Sequence, residues 1–321
     1  MKAIRYTGYG SPAVVQLAEL PTPIPKADEI LVRVHEALVT PSDMAMRSGK
    51  PFVARLFSGL FRPKGVPGTD FAGVIEVIGA GVTQFKVGDR VFGANSVGGG
   101  AHAEYLTVKA SGVVAKLPEN RTFSETAGLC DAAMTALTFL RDNAALQPGQ
   151  RILIYGASGS VGTYAIQLAK GMGAHVTAVC STANVELVRS LGADAVIDYT
   201  QQDYAALGQQ YDVVFDAVGK SSFRQACPSL TAKGVYMTTV PTLPILGQML
   251  VSRLRGGKRA LFDATGLKQT REKLEVLGQL VAEGGLRSIL DRTYTLDAMQ
   301  EAHAYVETGR KRGNIVVRLT D

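Results

Sequence analysis

The stretch RILIYGASGSVGTYAIQLAKGMGA, residues 151–174, decides the fold of this chain. Its residues 152–155 form a short apolar run of the kind that a buried parallel strand needs. Gly156, Gly159 and Gly162 follow, and apolar residues then recur at helical spacing. A strand, a glycine turn and a helix in this order predict a dinucleotide-binding site, because a turn without side chains lets a pyrophosphate reach the N–H groups at the positive helix N-terminus. An ordinary tight strand-to-helix turn is the alternative.

The composition is that of a globular protein with a sizeable core. The chain has 321 residues, of which 46% are hydrophobic and 19% charged, which is enough for two domains. No apolar run reaches the roughly 18–20 residues of a membrane span, and the N-terminus lacks the apolar core of a signal peptide. Three widely spaced cysteines predict neither a disulfide framework nor a metal cluster, which favours a reducing, cytoplasmic location. The net charge of +6 does not require a nucleic acid partner and would help attract a phosphorylated cofactor.

The pattern of the sequence changes about a third of the way along the chain. Residues 1–121 consist of short β-rich runs with the glycine-punctuated pattern of a small β-barrel. Residues 123–146 are predicted to be helical, and strands and helices then alternate, which predicts a parallel, doubly wound sheet. Residues 268–284 are predicted to form an amphipathic helix, and the C-terminal tail a helix, a turn and a strand.

Eight segments in order carry a family resemblance: PGTDFAGVIEVIGAGV (67–82), KVGDRVFG (86–93), AEYLTV (103–108), AAMTAL (132–137), GASGSVGTYAIQLAK (156–170), LGADAVIDY (191–199), DAVG (216–219) and GNIVV (313–317). With them the chain resembles the medium-chain dehydrogenase/reductase superfamily, and more narrowly its zinc-free quinone oxidoreductase branch. The resemblance implies an α/β protein with a GroES-like β-barrel catalytic domain (residues 1–121 and 265–321) and a doubly wound Rossmann domain that binds NADPH (residues 122–264). Residues 55–73 are further similar to a subgroup that includes chloroplast-envelope quinone-oxidoreductase-like proteins.

The zinc-binding positions of the superfamily are altered in this chain. Zinc-dependent members carry a Cys and a His where this chain has Thr40 and Thr69. A threonine hydroxyl is a poor zinc ligand, and the four-cysteine loop of a structural zinc is missing because no cysteine precedes Cys130. We therefore predict that the protein binds no metal. Stoichiometric zinc in elemental analysis of the purified protein would contradict this.

The end of the second Rossmann strand selects between the nicotinamide cofactors. An acidic residue there binds the adenosine ribose hydroxyls and repels a 2′-phosphate. Here the strand ends at Ser181 and Thr182, whose hydroxyls can donate to a phosphate of about −1.5 to −2 charges, and this favours NADPH. Related sequences often carry a lysine where Ala183 stands, so one charge-assisted contact is absent. Tyr199, which closes the third strand, is predicted either to flank the adenine or phosphate or to pack in the core.

The resemblance also implies the remaining cofactor contacts. Thr135 is expected on the nicotinamide side, and the alternative is a helical threonine that bonds back to its own backbone. The other expected contacts are Ser158, Gly159, Ser160 and Val161 at the pyrophosphate, Ala217, Val218 and Gly219 beside the adenosine, and Thr239, Val240 and Asn314 near the nicotinamide carboxamide.

Hydride delivery without a Lewis acid requires a carbon that is already electrophilic, and quinones and α,β-unsaturated ketones provide one. By family correspondence, Thr40 is expected to bond the substrate oxygen or a ribose hydroxyl, and Asp43 and Arg47 are expected to form an orienting pair. Several relatives have a tyrosine where this chain has Ala45. Water or a cofactor hydroxyl is therefore expected to deliver the second proton.

A lipophilic set of side chains follows these residues. We interpret it either as a lid that favours apolar substrates or as plain core packing. The set comprises Met44, Met46, Phe52, Leu56, Phe57, Leu60 and Phe61.

The sequence thus predicts an NADPH-dependent, metal-free reductase of small apolar quinones or enones. Segment 241–263 combines apolar and basic residues and could rest on an anionic membrane surface. In related proteins the strand at about 258–264 pairs across a dimer interface, so a homodimer is the preferred expectation. The alternatives are a zinc-free alcohol dehydrogenase-like enzyme and a non-catalytic NADPH-binding protein of an RNA-binding or structural kind, although no basic and aromatic run supports nucleic acid binding.

Overall fold

The computed structural model describes residues 1–96 and 98–320. Its strands are β1 (Lys2–Tyr6), β2 (Val15–Glu19), β3 (Glu29–Leu38), β4 (Asp70–Ile78), β5 (Arg90–Ala94), β6 (Tyr105–Lys109), β7 (Val113–Lys116), β8 (Arg151–Tyr155), β9 (His175–Cys180), β10 (Ala195–Asp198), β11 (Tyr211–Asp216), β12 (Leu230–Thr238), β13 (Arg259–Phe262), β14 (Leu290–Thr295) and β15 (Asn314–Arg318). Its helices are α1 (Pro41–Ser48), α2 (Arg55–Ser58), α3 (Phe123–Ala127), α4 (Met134–Leu137), α5 (Ser160–Gly171), α6 (Val185–Ser190), α7 (Phe223–Ala226), α8 (Leu243–Arg255), α9 (Arg271–Ala282) and α10 (Met299–Glu307).

The first compact unit comprises residues 1–131, 269–284 and the chain from Ser288 onward. Its main sheet has the order β14-β15-β3-β4-β5-β7, with β6 also paired to β3, and its pairs are antiparallel except for β14 with β15. Strands β1 and β2 form a separate antiparallel pair. The alternate residues Ile30, Val32 and Val34 of β3 are fully buried in the core of this unit, as their spacing predicts.

Helix α9 packs its apolar face on this unit. Leu274, Leu277 and Val281 are buried, which confirms the predicted amphipathic helix. A Cβ on Gly278 would lie 3.1 Å from Cζ of Phe92 in β5, so any side chain here would have to displace the Phe92 ring. The predicted C-terminal helix and strand are α10 and β15.

The second compact unit comprises residues 132–268 and 285–287. Its sheet has the order β10-β9-β8-β11-β12-β13, and its pairs are all parallel. This order reverses between β8 and β11, as in the doubly wound dinucleotide-binding fold, and it confirms the predicted fold class. The boundaries of the catalytic and the Rossmann domain after residues 121 and 264 stay a prediction.

The predicted helical stretch after residue 122 is not one regular helix. It contains α3 and α4, and π-helical turns cover Leu129–Ala133 and Thr138–Asn143. A π-helical turn holds one extra residue, so the side chains after it are redirected relative to a regular helix. Within the described residues, no helix is both long and apolar enough to cross a bilayer.

Candidate cofactor site and candidate active-site residues

The glycine turn after β8 leaves no room for a side chain at Gly156 or Gly162. Gly156 has a φ of +75°, and a Cβ there would lie 2.5 Å from Cγ1 of Val218. A Cβ on Gly162 would lie 2.3 Å from the carbonyl oxygen of Gly156 and 2.7 Å from Cα of Ala157. Helix α5 therefore packs directly against the turn, and only glycine allows this approach.

The N-terminus of α5 is not capped by a side chain. Its N-cap residue is Gly159, whose N–H donates to the carbonyl oxygen of Gly156 at 3.0 Å and closes the turn. Ser160 and Val161 are the first residues of this 12-residue helix. The first-turn N–H groups of such a helix carry a partial positive charge, and this suits the pyrophosphate of a dinucleotide.

The loop after β11 lies on the other side of the strand-order reversal and is organised by Asp216, which sequence analysis did not single out. Asp216 is fully buried, and Gly219, three residues later, has a φ of +67°. A Cβ on Gly219 would lie 2.6 Å from Cγ2 of Val240, so the predicted loops 217–219 and 239–240 are in contact. The donors to the Asp216 carboxylate are the N–H groups of Val218 (3.1 Å), Gly219 (2.8 Å), Lys220 (3.3 Å) and Ser221 (2.7 Å) and the hydroxyl of Tyr236 (3.1 Å).

Asn184 connects two of the predicted cofactor residues and was missed by sequence analysis. Its Nδ2 donates to Oγ of Ser158 at 3.0 Å and to Oγ of Ser181 at 3.2 Å. Both serines act as acceptors here and keep their own hydroxyl protons for a ligand. Oδ1 of Asn184 is buried and has no hydrogen-bond partner among the described residues. The sequence could have indicated Asn184 through its position only three residues after Ser181, in the turn that follows the cofactor-selecting strand.

The hydroxyl of Thr182 is not directed outward. It donates to the carboxylate of Asp198, at the end of β10, which also accepts from the N–H (2.9 Å) and hydroxyl (2.7 Å) of Thr200. These hydrogen bonds, with that from Thr182 first, hold the pKa of Asp198 below its usual value. The hydroxyl proton of Thr182 is therefore already used in a hydrogen bond within the protein, so Ser181 is the better donor to a phosphate.

Tyr199 is 53% exposed, and its ring centroid lies 6.3 Å from that of Tyr155 in a stacked arrangement. The interpretation of Tyr199 as a core residue is therefore wrong, because the residue follows the last residue of β10 and lies outside the sheet. A half-exposed aromatic ring next to Tyr155, the residue before the glycine turn, is suited to stacking on a purine.

The other predicted cofactor residues have the following surroundings. The hydroxyl of Thr135 is hydrogen-bonded to the hydroxyl of Thr265 at 2.9 Å, and this bond is not the one to its own helix backbone that the alternative described. The N–H of Thr239 donates to the carbonyl oxygen of Asp216 at 3.3 Å. Asn314 begins β15 in the first unit and is buried, and its N–H donates to the carbonyl oxygen of Ile289 at 2.8 Å. The proposed contacts of these residues with a cofactor stay predictions.

Thr40 and Asp43 form the N-terminal cap of α1. The hydroxyl and N–H of Thr40 both donate to Oδ2 of Asp43 at 2.8 Å, and the N–H of Asp43 donates to Oγ1 of Thr40 at 3.3 Å. Both side chains are buried. This reciprocal capping box uses the Thr40 proton, so Thr40 can offer a substrate only its acceptor lone pairs in this arrangement.

The predicted pair between Asp43 and Arg47 is not formed. The carboxylate of Asp43 turns back to the helix N-terminus, and Nη2 of Arg47 donates to Oε1 of Glu307 in α10 at 2.9 Å. Arg47 is 0% exposed, so its guanidinium cannot touch a substrate. Arg47 joins α1 to α10 within the first unit, so the expected orienting role of an Asp43–Arg47 pair is wrong in this structure.

We expect Thr40→Val to lower the free energy of unfolding by about 1 kcal/mol, because the capping box loses its hydroxyl. Thr40→Ser keeps both hydrogen bonds and is the matched control, which we expect to unfold like the wild type. Urea unfolding measures the stability. Measurement of kcat on the folded variants tests the predicted contact with substrate, and a kcat that Val leaves unchanged would remove Thr40 from the site.

A cluster of titratable groups in the first unit was not predicted. Burial and the neighbouring Asp131 carboxylate raise the pKa of Asp70 well above its usual value. Burial, and then Asp43, raise the pKa of Asp131 to about 6, against the opposing effect of Lys311. Burial also lowers the pKa of Lys311 to about 8. These groups come from β4, the first π-helical turn and the loop before β15, so only the tertiary structure brings them together.

The residues at the expected zinc positions have protein partners. The hydroxyl of Thr69 donates to Oδ1 of Asp70 at 2.9 Å, and that of Thr40 to Asp43. Within residues 1–96 and 98–320, no group of three or more His, Cys, Asp or Glu side chains could hold a metal ion. Elemental analysis remains the test of the predicted absence of zinc.

Most of the lipophilic set lies outside the core. Met44 packs against the core of the first unit, but Phe52, Leu56, Phe57, Leu60 and Phe61 are exposed. The core-packing interpretation is therefore wrong for residues 52–61, because the short α2 and the turns around it lie on the surface. The lid interpretation stays a prediction.

Comparison with known proteins agrees with both units. Residues 26–119 match the alcohol dehydrogenase GroES-like domain family, and residues 191–317 match the zinc-binding dehydrogenase family. The chain is 34% identical to a chloroplast envelope quinone oxidoreductase homolog of Arabidopsis thaliana, over 99% of this chain and 98% of that protein. It is 32% identical to an NADPH-dependent alkenal/one oxidoreductase of the same organism, over 99% of this chain and 79% of that protein. The solved quinone oxidoreductase of Coxiella burnetii is 32% identical, with a TM-score of 0.91 over 100% of this chain and 99% of that one.

A GroES-like unit and a doubly wound unit with a glycine cradle at its strand-order reversal define the class of medium-chain dehydrogenases/reductases. Both the predicted fold class and the predicted resemblance are confirmed. Within that superfamily, the chain belongs to the quinone oxidoreductase family.

Proposed function

We propose that this protein uses NADPH to reduce quinones and α,β-unsaturated carbonyl compounds without a metal. The observation that carries the proposal is the glycine cradle at the strand-order reversal. Gly156 and Gly162 have no side chains there, so a ligand can approach the N-terminus of α5, which no side chain caps. Relatives of at least 32% identity include proteins named as quinone oxidoreductases, a trans-enoyl reductase and an NADPH-dependent alkenal/one oxidoreductase. An oxidoreductase of this kind is the function that the chain supports best.

Several residues of the second unit fit NADPH. Ser158 and Ser181 accept from Asn184 and keep their protons, and Tyr199 offers an exposed ring. Strand β9 ends without an acid, and the charge of Asp198 is compensated by hydrogen bonds from Thr182 and three further donors. Bound there, NADPH would supply the hydride, and the role of these residues is to hold its adenosine and pyrophosphate.

We expect kcat/KM to be at least about tenfold higher with NADPH than with NADH, because Ser181 can donate to a 2′-phosphate and no acid repels it. The measurement is NADPH and NADH oxidation with the same quinone or enone. Ser181→Asp, which introduces an acid at the end of β9, should lower or invert this preference, and Ser190→Asp, at the end of α6, is the matched control. Equal values for the wild type would contradict the predicted preference.

The substrate class is tested by a screen of NADPH oxidation against quinones and enones. Charge that develops on the substrate oxygen during reduction can be stabilised by weak donors, so no Lewis acid is required. Turnover with quinones or enones supports the proposal. NADPH binding without turnover of any of them would instead support a non-catalytic NADPH-binding protein, and turnover of simple alcohols would support a dehydrogenase of alcohols.

A homodimer is also part of the proposal, and the edge of the second unit supports it. Strand β13 ends the sheet, and the neighbouring helix α8 exposes Leu243, Leu250 and Leu254. An unpaired strand edge beside exposed apolar side chains favours pairing with a second copy. Light scattering of wild type and Leu250→Arg tests this, and a monomeric wild type would contradict it.

A cytoplasmic location is consistent with the three free cysteines and is tested by fractionation.

A further inference from the structure

Residues 50–64, KPFVARLFSGLFRPK, expose an unusual number of large apolar side chains; we call them the 50–64 segment. Phe61 is 89% exposed, Leu56 67%, Phe57 66% and Phe52 64%, and Val53 and Leu60 are also exposed. Isolated exposed apolar residues are common, but six of them lie within ten residues of this segment, and such a concentration of exposed apolar side chains marks an interaction site.

The 50–64 segment is held in a defined conformation by polar contacts beneath it. The guanidinium carbon of Arg55 lies 4.5 Å from the ring centroid of Tyr9, and Nε of Arg55 donates to the carbonyl oxygen of Gly49 at 3.3 Å. The hydroxyl of Tyr9 is hydrogen-bonded to Oγ of Ser58 at 2.9 Å, and Ala54 is buried. The small and polar residues of the segment therefore face the protein, and its large apolar residues face outward.

The charged residues in and next to the 50–64 segment of the sequence are all basic. Residues 44–69 contain five Lys and Arg residues and no Asp or Glu. Of the five, Arg47 is buried against Glu307, whereas Lys50, Arg62 and Lys64 are exposed and form no ion pair with a described residue. Elements that rest in the interfacial layer of an anionic bilayer typically combine protruding aromatic and aliphatic side chains with basic residues at their border.

We propose that the 50–64 segment docks this protein on anionic lipid bilayers, with Phe57 and Phe61 entering the interfacial layer and Arg62 and Lys64 facing the lipid phosphates. A second copy is a poorer occupant, because a two-fold contact would set the same basic residues against each other. A peptide is also a poorer occupant, because a side chain that keeps 89% of its surface exposed, like Phe61, stands clear of its neighbours and forms no groove. Docking requires no catalytic activity, so it is independent of the function proposed above.

The test is flotation of the full-length protein with vesicles of phosphatidylcholine alone or with about 30% phosphatidylglycerol. We expect the wild type to float with the anionic vesicles and to be released by high salt. The double variant Phe57→Ser, Phe61→Ser should lower the partition coefficient at least about tenfold, because it removes two aromatic groups from the lipid. The double variant Arg62→Glu, Lys64→Glu should abolish the preference for anionic vesicles. All four side chains are exposed, so we expect both variants to fold like the wild type.

The matched control is the double variant Ile24→Ser, Leu267→Ser, which removes two side chains that are 89% and 70% exposed elsewhere on the surface. We expect it to float like the wild type. Because the chain has no tryptophan, Phe57→Trp introduces a single fluorescent reporter. Its emission should shift to the blue on addition of anionic vesicles and be quenched by brominated lipid, whereas Leu267→Trp should show neither effect.

The proposal is overturned if the wild type does not float with anionic vesicles or if the Phe57→Ser, Phe61→Ser variant floats equally well. It is also overturned if that variant changes the oligomeric state in light scattering, because the 50–64 segment would then be an interface between copies. Emission from Phe57→Trp that is insensitive to vesicles would place any membrane contact elsewhere on the molecule.

Discussion

Gly162→Ala is expected to abolish NADPH binding and to lower the free energy of unfolding by about 2 kcal/mol or more. The new Cβ would lie 2.3 Å from the carbonyl oxygen of Gly156 and 2.8 Å from the carbonyl carbon of Ala157, and both of these neighbours are backbone atoms. Backbone cannot swing aside as the end of a long side chain can, so α5 must move away from the turn. The N–H groups that are proposed to hold the pyrophosphate would move with it.

Gly171→Ala is the matched control for this prediction, because Gly171 ends the same helix and a Cβ there meets no heavy atom within 4 Å. We expect this variant to bind NADPH normally and to be as stable as the wild type, or more stable by up to about 1 kcal/mol. Denaturant unfolding and titration of NADPH by fluorescence measure the two effects. If Gly162→Ala keeps wild-type NADPH affinity, the turn is an ordinary strand-to-helix connection and the proposed cofactor site is wrong.

Asp131→Asn is expected to stabilise the protein near neutral pH by up to about 3 kcal/mol. Burial and Asp43 raise the pKa of Asp131 from 3.8 to about 6, although Lys311 opposes this shift. Asp70, on β4, is a further carboxylate that faces it, and its own pKa is raised by burial and by Asp131. Ionising Asp131 in the folded state therefore costs free energy that the neutral amide avoids.

The direction of the pH dependence follows from the raised pKa. Between pH 3.8 and about 6 the folded protein holds the Asp131 proton that the unfolded chain releases. The stability of the wild type relative to Asp131→Asn should therefore be greatest below pH 3.8 and should fall as the pH rises through about 6. Urea unfolding of both proteins across this range measures the difference.

Asp194→Asn is the control of opposite sign. Hydrogen bonds from Lys170 and from the N–H of Val176 lower the pKa of Asp194, because they favour its charged form over the effect of burial. This variant should be less stable than the wild type near neutral pH, and the difference should shrink as the pH falls below the usual carboxyl range. If Asp131→Asn and Asp194→Asn show the same pH trend, the buried acidic cluster is not organised as described.

The fold class followed from local patterns. The strand, glycine turn and helix of residues 151–171 are neighbours in the chain, so their spacing alone predicts β8, the turn and α5. The alternation in β3 and the apolar face of α9 are likewise local periodicities, and both were recovered. The doubly wound order of the second unit could be anticipated because strands that alternate with helices form parallel sheets with few allowed topologies.

The partners of polar side chains could not be predicted in this way. Asp43 and Arg47 are spaced to meet on a helix, yet Asp43 caps α1 and Arg47 pairs with Glu307, which lies 260 residues away in the sequence. Thr182 has the residue type of a phosphate donor, but the end of the neighbouring strand supplies Asp198 as its acceptor. Each side chain takes its partner from whichever residue the tertiary structure brings within about 3 Å.

The sequence by itself determined the two kinds of structural unit, the glycine cradle and the absence of an acid at the end of β9, because these features depend on residues close together in the chain. Only the tertiary structure decided that Asn184 joins Ser158 to Ser181, that Asp70, Asp131 and Lys311 share one buried cluster, and that Phe57 and Phe61 face solvent. Burial and charge environment are sums over residues distant in sequence, and an apolar run has the same local pattern whether it lies in a core or on a surface.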